Sequence, residues 1–410
     1  MLPVENIAIN STNGQYIGGT IRANLEIFIC AYQNTKRERG ALPLTLEAFI
    51  SFLVSQMKTI RKSHVKTLAA LVFGLFKADY IGTGEIGRKM KGMVDGKHKI
   101  KRVDRFMGNK RIDILAMAGA LFSMLVARLP EKCRLLVALD WTDMHDDKHM
   151  TLVLAVISCG RAIPVLWKTA AKDKLKDNQT KIEKELLTDF RTIVPIGTKI
   201  VILADRGFGK IDLFEHLKSL GFDYVIRLKR NAYIYNRFYN GSLEQLVIQA
   251  GTWRDFGATL FTAKKRYPLR LITFYDYSQK EPWILTTNLA PEELDIEDAV
   301  IYYSRRMEIE ECFRDIKNER NGLCLRGAHY KSPERYDHVF LVIACGYLFM
   351  VLAGQWGEEQ GYHRGMMANT VKRRTLGLWR VGREIINNPD KYWTRPEALM
   401  SKVSKVILVA

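Results

Sequence analysis

The chain has 410 residues, 47% of them hydrophobic, enough to bury a full core and to divide into two or three domains. Lys and Arg number 63 against 44 Asp and Glu, a formal net charge of +19, and a surplus of that size asks for a polyanionic partner, nucleic acid first and an anionic membrane second. Six scattered cysteines, Cys30, Cys133, Cys159, Cys312, Cys324 and Cys345, stand at no metal-finger or redox spacing, which argues against a zinc site and fits reduced thiols in a cytosolic protein.

The amino terminus lacks a basic stretch followed by an apolar one, so no signal peptide is expected. Up to about residue 128 the apolar residues recur at helical spacing, as in Leu46, Phe49, Ile50, Phe52 and Leu53, then Ile112, Leu115, Leu121 and Leu125. Gly82-Thr-Gly84-Glu-Ile-Gly87 fits the dinucleotide fingerprint but follows no strand-like run, and reads as a turn entering a helix. Residues 88–111 hold ten Lys or Arg against Asp95 and Asp104, interleaved with Met90, Ile100, Val103 and Phe106. That is either a solvated helix face or a helical element that binds DNA, and the charge favours the second.

From Arg134 the texture changes to apolar runs at 135–139, 151–157 and, after a Cys159-Gly160-Arg161 turn, 162–167. Ile182, Leu186, Leu187 and Phe190 then mark a helix in the charged stretch 172–191, followed by a strand at 199–204, a helix at 211–220 and a strand at 224–228. Three strands, helix, strand, helix, strand is the order of an α/β, ribonuclease-H-like mixed sheet with helices on its faces. Residues 231–288 are rich in Tyr, Phe, Thr and Trp, with strand candidates at 269–274 and 283–287, and read as a β-rich insertion. Helical spacing returns near Pro291. The apolar run 339–354, sixteen residues between His338 and Gln355, falls short of the about 20 needed to span a bilayer and reads as a buried helix.

The divisions that result are an all-helical N-terminal domain (1–128), a first part of the catalytic core (129–230), the β-rich insertion (231–290), a second part of the core (291–355) and a helical C-terminal region (356–410) that is a candidate for dimerisation.

Asp140 and Asp205 sit where the strands 135–139 and 201–204 run out. Singly, each fits a turn or cap residue; paired on neighbouring strands they converge and need a cation. Asp143, Asp146 and Asp147 are nearby competitors expected in the loop beyond the strand end. At roughly 100° per residue, Tyr303, Arg306, Glu310 and Lys317 fall within an arc of about 60° on one helix face, with Ile309, Phe313 and Ile316 beside them for docking. A solvated helix with ordinary ion pairs accounts for the composition equally well.

The spacing Tyr303, Arg306, Glu310, Lys317 resembles the signature of the insertion-sequence-four family of transposases, nearest to its transposon-ten branch. Leu139-Asp140-Trp141-Thr142-Asp143, Ala204-Asp205-Arg206-Gly207-Phe208, Glu281-Pro282-Trp283-Ile284-Leu285-Thr286-Thr287-Asn288-Leu289 and Lys97-His98-Lys99-Ile100-Lys101-Arg102-Val103-Asp104-Arg105 agree with it, from about Gly82 onward. The resemblance implies that Asp140, Asp205 and Glu310 are catalytic acids holding two divalent cations, Mg²⁺ with Mn²⁺ as a substitute, because such ions prefer carboxylate oxygens. It implies phosphate contacts for Tyr303, Arg306 and Lys317, with a DNA-binding helix bearing Lys99, Lys101, Arg102 and Arg105. Trp283 matches the position that stacks a base removed from the duplex, assisted by Met307, although alone it would read as a core aromatic on a strand.

The activity implied is cut-and-paste transposition in the bacterial cytoplasm. It comprises binding of terminal inverted repeats, nicking, hairpin formation and opening, and transfer of 3′ ends to target DNA by a homodimer without membrane involvement. The alternatives are a catalytically inactive repressor derived from a transposase and a metal-dependent nuclease that cuts without joining.

Overall fold

The computed structural model describes residues 45–126, 134–144, 148–158, 160–325, 330–371, 373 and 375–392. Over these the chain is a mixed α/β protein in two compact units: one runs from the first strand to Arg314, and the other joins the helices before that strand to the segment from Asp315 onward.

The helices that open the second unit are α1 (Leu46–Gln56), α2 (Lys62–Lys77), α3 (Thr83–Lys89), α4 (Gly96–Met107) and α5 (Ile114–Val126), in keeping with the helical periodicity of this region. Thr45 caps α1 by accepting from the amide of Ala48, which satisfies one of the donors a helix start leaves unpaired. The glycine-rich motif has a packing role. Gly82 is the N-cap of α3, and a Cβ on Gly87 would stand 2.7 Å from the Cα of Ile100, so only glycine lets α3 and α4 approach this closely. Helix α4 is amphipathic: Val103, Phe106 and Met107 are buried, Lys99 is half-buried, and Lys97, Lys101, Arg102 and Arg105 are exposed.

The first unit is built on one ten-stranded sheet. Strands β1 (Arg134–Asp143), β2 (His149–Ser158) and β3 (Arg161–Ala171) form an antiparallel meander. Helix α6 (Gln179–Ile193) leads to β4 (Lys199–Ala204), which lies parallel to β1, and α7 (Ile211–Ser219) leads to β5 (Asp223–Arg227), parallel to β4. Parallel neighbours need such crossovers, and the helices that supply them cover the sheet. Their buried residues, Leu186, Leu187 and Phe190 on α6 and Leu213, Phe214 and Leu217 on α7, are the apolar positions the 3.6-residue period picks out.

Strands β6 (Tyr233–Tyr235), β7 (Asn240–Ser242), β8 (Thr252–Phe261), β9 (Tyr267–Tyr275) and β10 (Trp283–Thr287) come from the β-rich segment. They extend the same sheet, since β10 pairs antiparallel with β5 and the strand order is β3-β2-β1-β4-β5-β10-β9-β8-β6-β7. This pairing places the start of β10, at Trp283, on the strand next to β5. Helices α8 (Ile296–Arg305) and α9 (Glu308–Lys317) follow, and the division between the units falls within α9 after Arg314.

The second unit resumes with α10 (Pro333–Glu359), α11 (Leu378–Asn387) and α12 (Pro389–Tyr392). Helix α10 is longer than the apolar run that announced it, and long and apolar enough to cross a membrane, yet 94% of its most apolar window is buried inside the protein. Phe349 on α10 meets Phe49 of α1 edge-on at 5.0 Å between ring centroids. The helix serves as the core of its unit, and the boundary expected at 355/356 falls inside it.

Candidate active site

The parallel ladder between β1 and β4 ends at the pair Leu139 and Ala204. Asp140 and Asp205 are the next residues on the two strands, so they leave the ladder side by side. Strand β1 was expected to stop here; instead its antiparallel partner β2 carries it on, with Asp140 opposite Val153 and Asp143 opposite Met150. Asp143 therefore lies on the strand and not in a loop, while Asp146 and Asp147 fall outside the described residues. One oxygen of each acid is tied locally: Asp140 Oδ1 accepts from the Trp141 amide at 2.8 Å, and Asp205 Oδ1 accepts from the Gly207 amide at 2.8 Å.

Glu310 comes from a different element, and the single helix expected to carry Tyr303, Arg306, Glu310 and Lys317 is two. Helix α8 ends at Arg305 and α9 starts at Glu308. Around the junction the amides of Arg306, Met307, Ile309 and Glu310 bond three residues back, which winds the chain more tightly than an α-helix. Charge accounts for the seam. The last turn of α8 and its cap offer Arg305 and Arg306; the first turn of α9 offers Glu308, Glu310 and Glu311. Arginines at a helix C-terminus and acids at an N-terminus each oppose the local dipole. They also pair across the junction, Arg305 Nε with Glu308 Oε1 at 2.9 Å and Arg306 Nη2 with Glu310 Oε1 at 2.8 Å.

Arg306 reaches further. Its Nη1 donates to Asp140 Oδ2 at 3.4 Å, so one buried guanidinium lies between two of the three acids, and its Nε is buried with no acceptor among the described residues. The Asp140 carboxyl is pushed up from 3.8 to about 6, first by burial, against the pull of Arg306 and the Trp141 amide, with the charges of Asp205 and Glu310 adding to the rise. All three acids thus act on one charge environment that a cation would relieve. No three His, Cys, Asp or Glu side chains are yet gathered into a ready ligand set among the described residues, and Arg306 stands between two of the acids. The donors nevertheless fit a hard divalent cation, being carboxylate oxygens with Asp140 and Asp205 fixed side by side just past the β1–β4 ladder.

Tyr303 and Trp283 flank this cluster. Tyr303 is buried, which raises its phenol above the ordinary range while Arg306 and Arg227 oppose the shift, and its ring meets Trp283 edge-on at 4.8 Å. Trp283 is half-buried and also touches Phe274; Met307 is 46% exposed and accepts from Arg306 through sulfur. Lys317 closes α9. Lys99, Lys101, Arg102 and Arg105 belong to α4 of the other unit.

Three residues unnoticed in the sequence also converge here. Glu281 pairs with both Arg206 and Arg227, at 3.3 and 2.9 Å, which ties the segment before Trp283 to the loop after Asp205. Arg206 and Glu281 stand inside motifs that drew attention for other residues, and Arg227 lies in the strand expected at 224–228.

The description "Transposase DDE domain" matches residues 131–335, half of the chain. The chain belongs to the transposase DDE domain family, a family of DNA phosphoryl-transfer enzymes that generally use divalent metals. No curated protein matches it.

The raised Asp140 carboxyl has a stability consequence whose sign is fixed. The folded protein keeps this proton up to about pH 6 while the unfolded chain releases it near the usual value, so between those limits the native state binds more protons and stability falls as pH rises. Above pH 6 the penalty is complete, about 3 kcal/mol at most. In EDTA, Asp140→Asn should therefore raise the urea midpoint at pH 7, with a gain over wild type that grows from pH 4 to 6 and then levels off. Parallel curves across that range would show that Asp140 carries no such strain.

Proposed function

We propose that this chain is a cut-and-paste DNA transposase of the insertion-sequence-four type, nearest to the transposon-ten branch, using Asp140, Asp205 and Glu310 as metal-binding catalytic acids. The observation that carries the reading is the desolvated Asp140 carboxyl under the joint influence of Asp205, Glu310 and Arg306. The match of residues 131–335 to the transposase DDE domain supports the coarser part of it, a transposase.

Two divalent cations, Mg²⁺ or Mn²⁺, would activate a water or a 3′ hydroxyl and stabilise the oxygen leaving phosphorus. The chain's own residues supply the rest. Asp140 and Asp205, held side by side just past the β1–β4 ladder, offer one carboxylate oxygen each to the site while the other stays on a local amide. With cations on the acids Arg306 would be free of them, and its planar fork would suit two oxygens of the scissile phosphate. Tyr303 and Lys317 add further phosphate contacts. Trp283, with Met307 exposed nearby, offers a stacking surface for a base removed from the duplex when a hairpin closes.

The substrates are the element's terminal inverted repeats and target DNA, bound by a homodimer in the bacterial cytoplasm at the nucleoid. End recognition falls to α4, whose exposed Lys101, Arg102 and Arg105 lie on one amphipathic helix with Lys99 at its edge.

With a duplex carrying the terminal repeat and Mg²⁺, the wild-type protein should nick, form a hairpin and join. Asp140→Ala, Asp205→Ala and Glu310→Ala should each abolish nicking and keep repeat binding. Binding without a nick by the wild type would indicate a repressor, and nicks without hairpins a nuclease. Replacing Lys101, Arg102 and Arg105 by Ala should weaken binding and flatten its dependence on salt, each lost phosphate contact changing the log-log slope by about 0.9. An unchanged slope would leave these side chains as a solvated face.

A further inference from the structure

We propose that Glu183 is a positioning residue that sets the spacing of Asp140 and Asp205 from the far side of the sheet; this rests on the reading of those acids as metal ligands. Glu183 lies on α6 and is fully buried. It falls on the apolar face with Leu186, Leu187 and Phe190, where a carboxylate is out of place unless it is paired.

Its partners come from β1 beside Asp140 and from the loop that follows Asp205. Trp141 Nε1 donates to Glu183 Oε1 at 3.2 Å, and Lys210 Nζ donates to Oε2 at 3.2 Å, with Thr180 Oγ1 as a further acceptor for Lys210 at 3.0 Å. Trp141 directly follows Asp140 on β1, so the two side chains point to opposite faces of the strand. The same residue that gives its indole to Glu183 gives its backbone amide to Asp140 Oδ1. On the other strand, Lys210 ends the loop that Asp205 begins, and the loop is closed by its own bonds, Phe208 amide to Asp205 carbonyl and Lys210 amide to Phe208 carbonyl. One buried carboxylate thus reaches both acids through short hydrogen-bonded paths, without touching either.

A group that only stabilises the fold would affect metal binding no more than folding. A positioning group would change metal affinity at constant stability, and outer partners of metal ligands typically alter affinity by about 10- to 100-fold. The full-length protein can be titrated with Mn²⁺, free ion being read by electron paramagnetic resonance, alongside thermal unfolding. Asp140→Ala serves as the control that the binding measured is at these acids. Trp141→Phe leaves the buried Glu183 and Lys210 pair intact and should bind Mn²⁺ about ten-fold more weakly than wild type, with an unfolding temperature close to it.

Glu183→Gln alone strands Lys210 and should lose both stability and affinity. In Glu183→Gln with Lys210→Met the pair is neutral, so stability should recover while the ten-fold loss of affinity remains. Wild-type affinity in Trp141→Phe or in the double variant would overturn the positioning role. Mn²⁺ binding that is absent from wild type or indifferent to Asp140→Ala would overturn the reading of the acids themselves, and this role with it.

Discussion

The site depends on placing carboxylates at the end of a parallel ladder, where strand geometry brings them together and burial makes their charge costly. Asp140 and Asp205 follow the last paired residues of the β1–β4 ladder, and Glu310, in the first turn of α9, lies across Arg306 from Asp140. Without a cation the arrangement would repel itself, and Arg306 supplies one from the seam between α8 and α9. Preorganised charge of this kind is what phosphoryl transfer asks of a protein, because positioning and electrostatic stabilisation carry most of that chemistry.

Arg306 has two uses in this account. In the structure it neutralises two acids; with DNA bound it would meet the phosphate whose charge builds up during displacement. Such an exchange needs the seam to be held from elsewhere, and the Arg305 and Glu308 pair does this independently. On the opposite face, the buried Glu183 links Trp141 of β1 to Lys210, beyond Asp205. The β-rich segment joins the same framework, since Glu281 links its last strand to Arg206 and Arg227.

Much of the fold was legible because the first unit is built from apolar runs whose length suits strands, and β4 appears at the residues its run predicts. Asp140 and Asp205 were legible for the same reason, as acids where such runs end. The continuation of β1 to Asp143 was not, because Trp141-Thr142-Asp143 lacks an apolar run and is held by pairing with β2. The break after Arg305 was hidden because Arg306 and Met307 preserve helical periodicity, and only the opposed charges on either side hint at a seam. The addition of β10 to the edge of β5 could not be read, since strand partnership is non-local. Glu183 left a faint trace: in a stretch full of charges it is an acid on the apolar face, aligned with Leu186 and Phe190.

On the proposed function, the three carboxylates hold divalent cations where Arg306 now stands. Anomalous diffraction from crystals of the full-length protein with terminal-repeat DNA and Mn²⁺ would test it most directly. Anomalous peaks are expected among Asp140, Asp205 and Glu310, with the Arg306 guanidinium moved from Asp140 onto a phosphate. Arg306 still bridging Asp140 and Glu310, with Mn²⁺ elsewhere in a complex that cuts DNA, would contradict it.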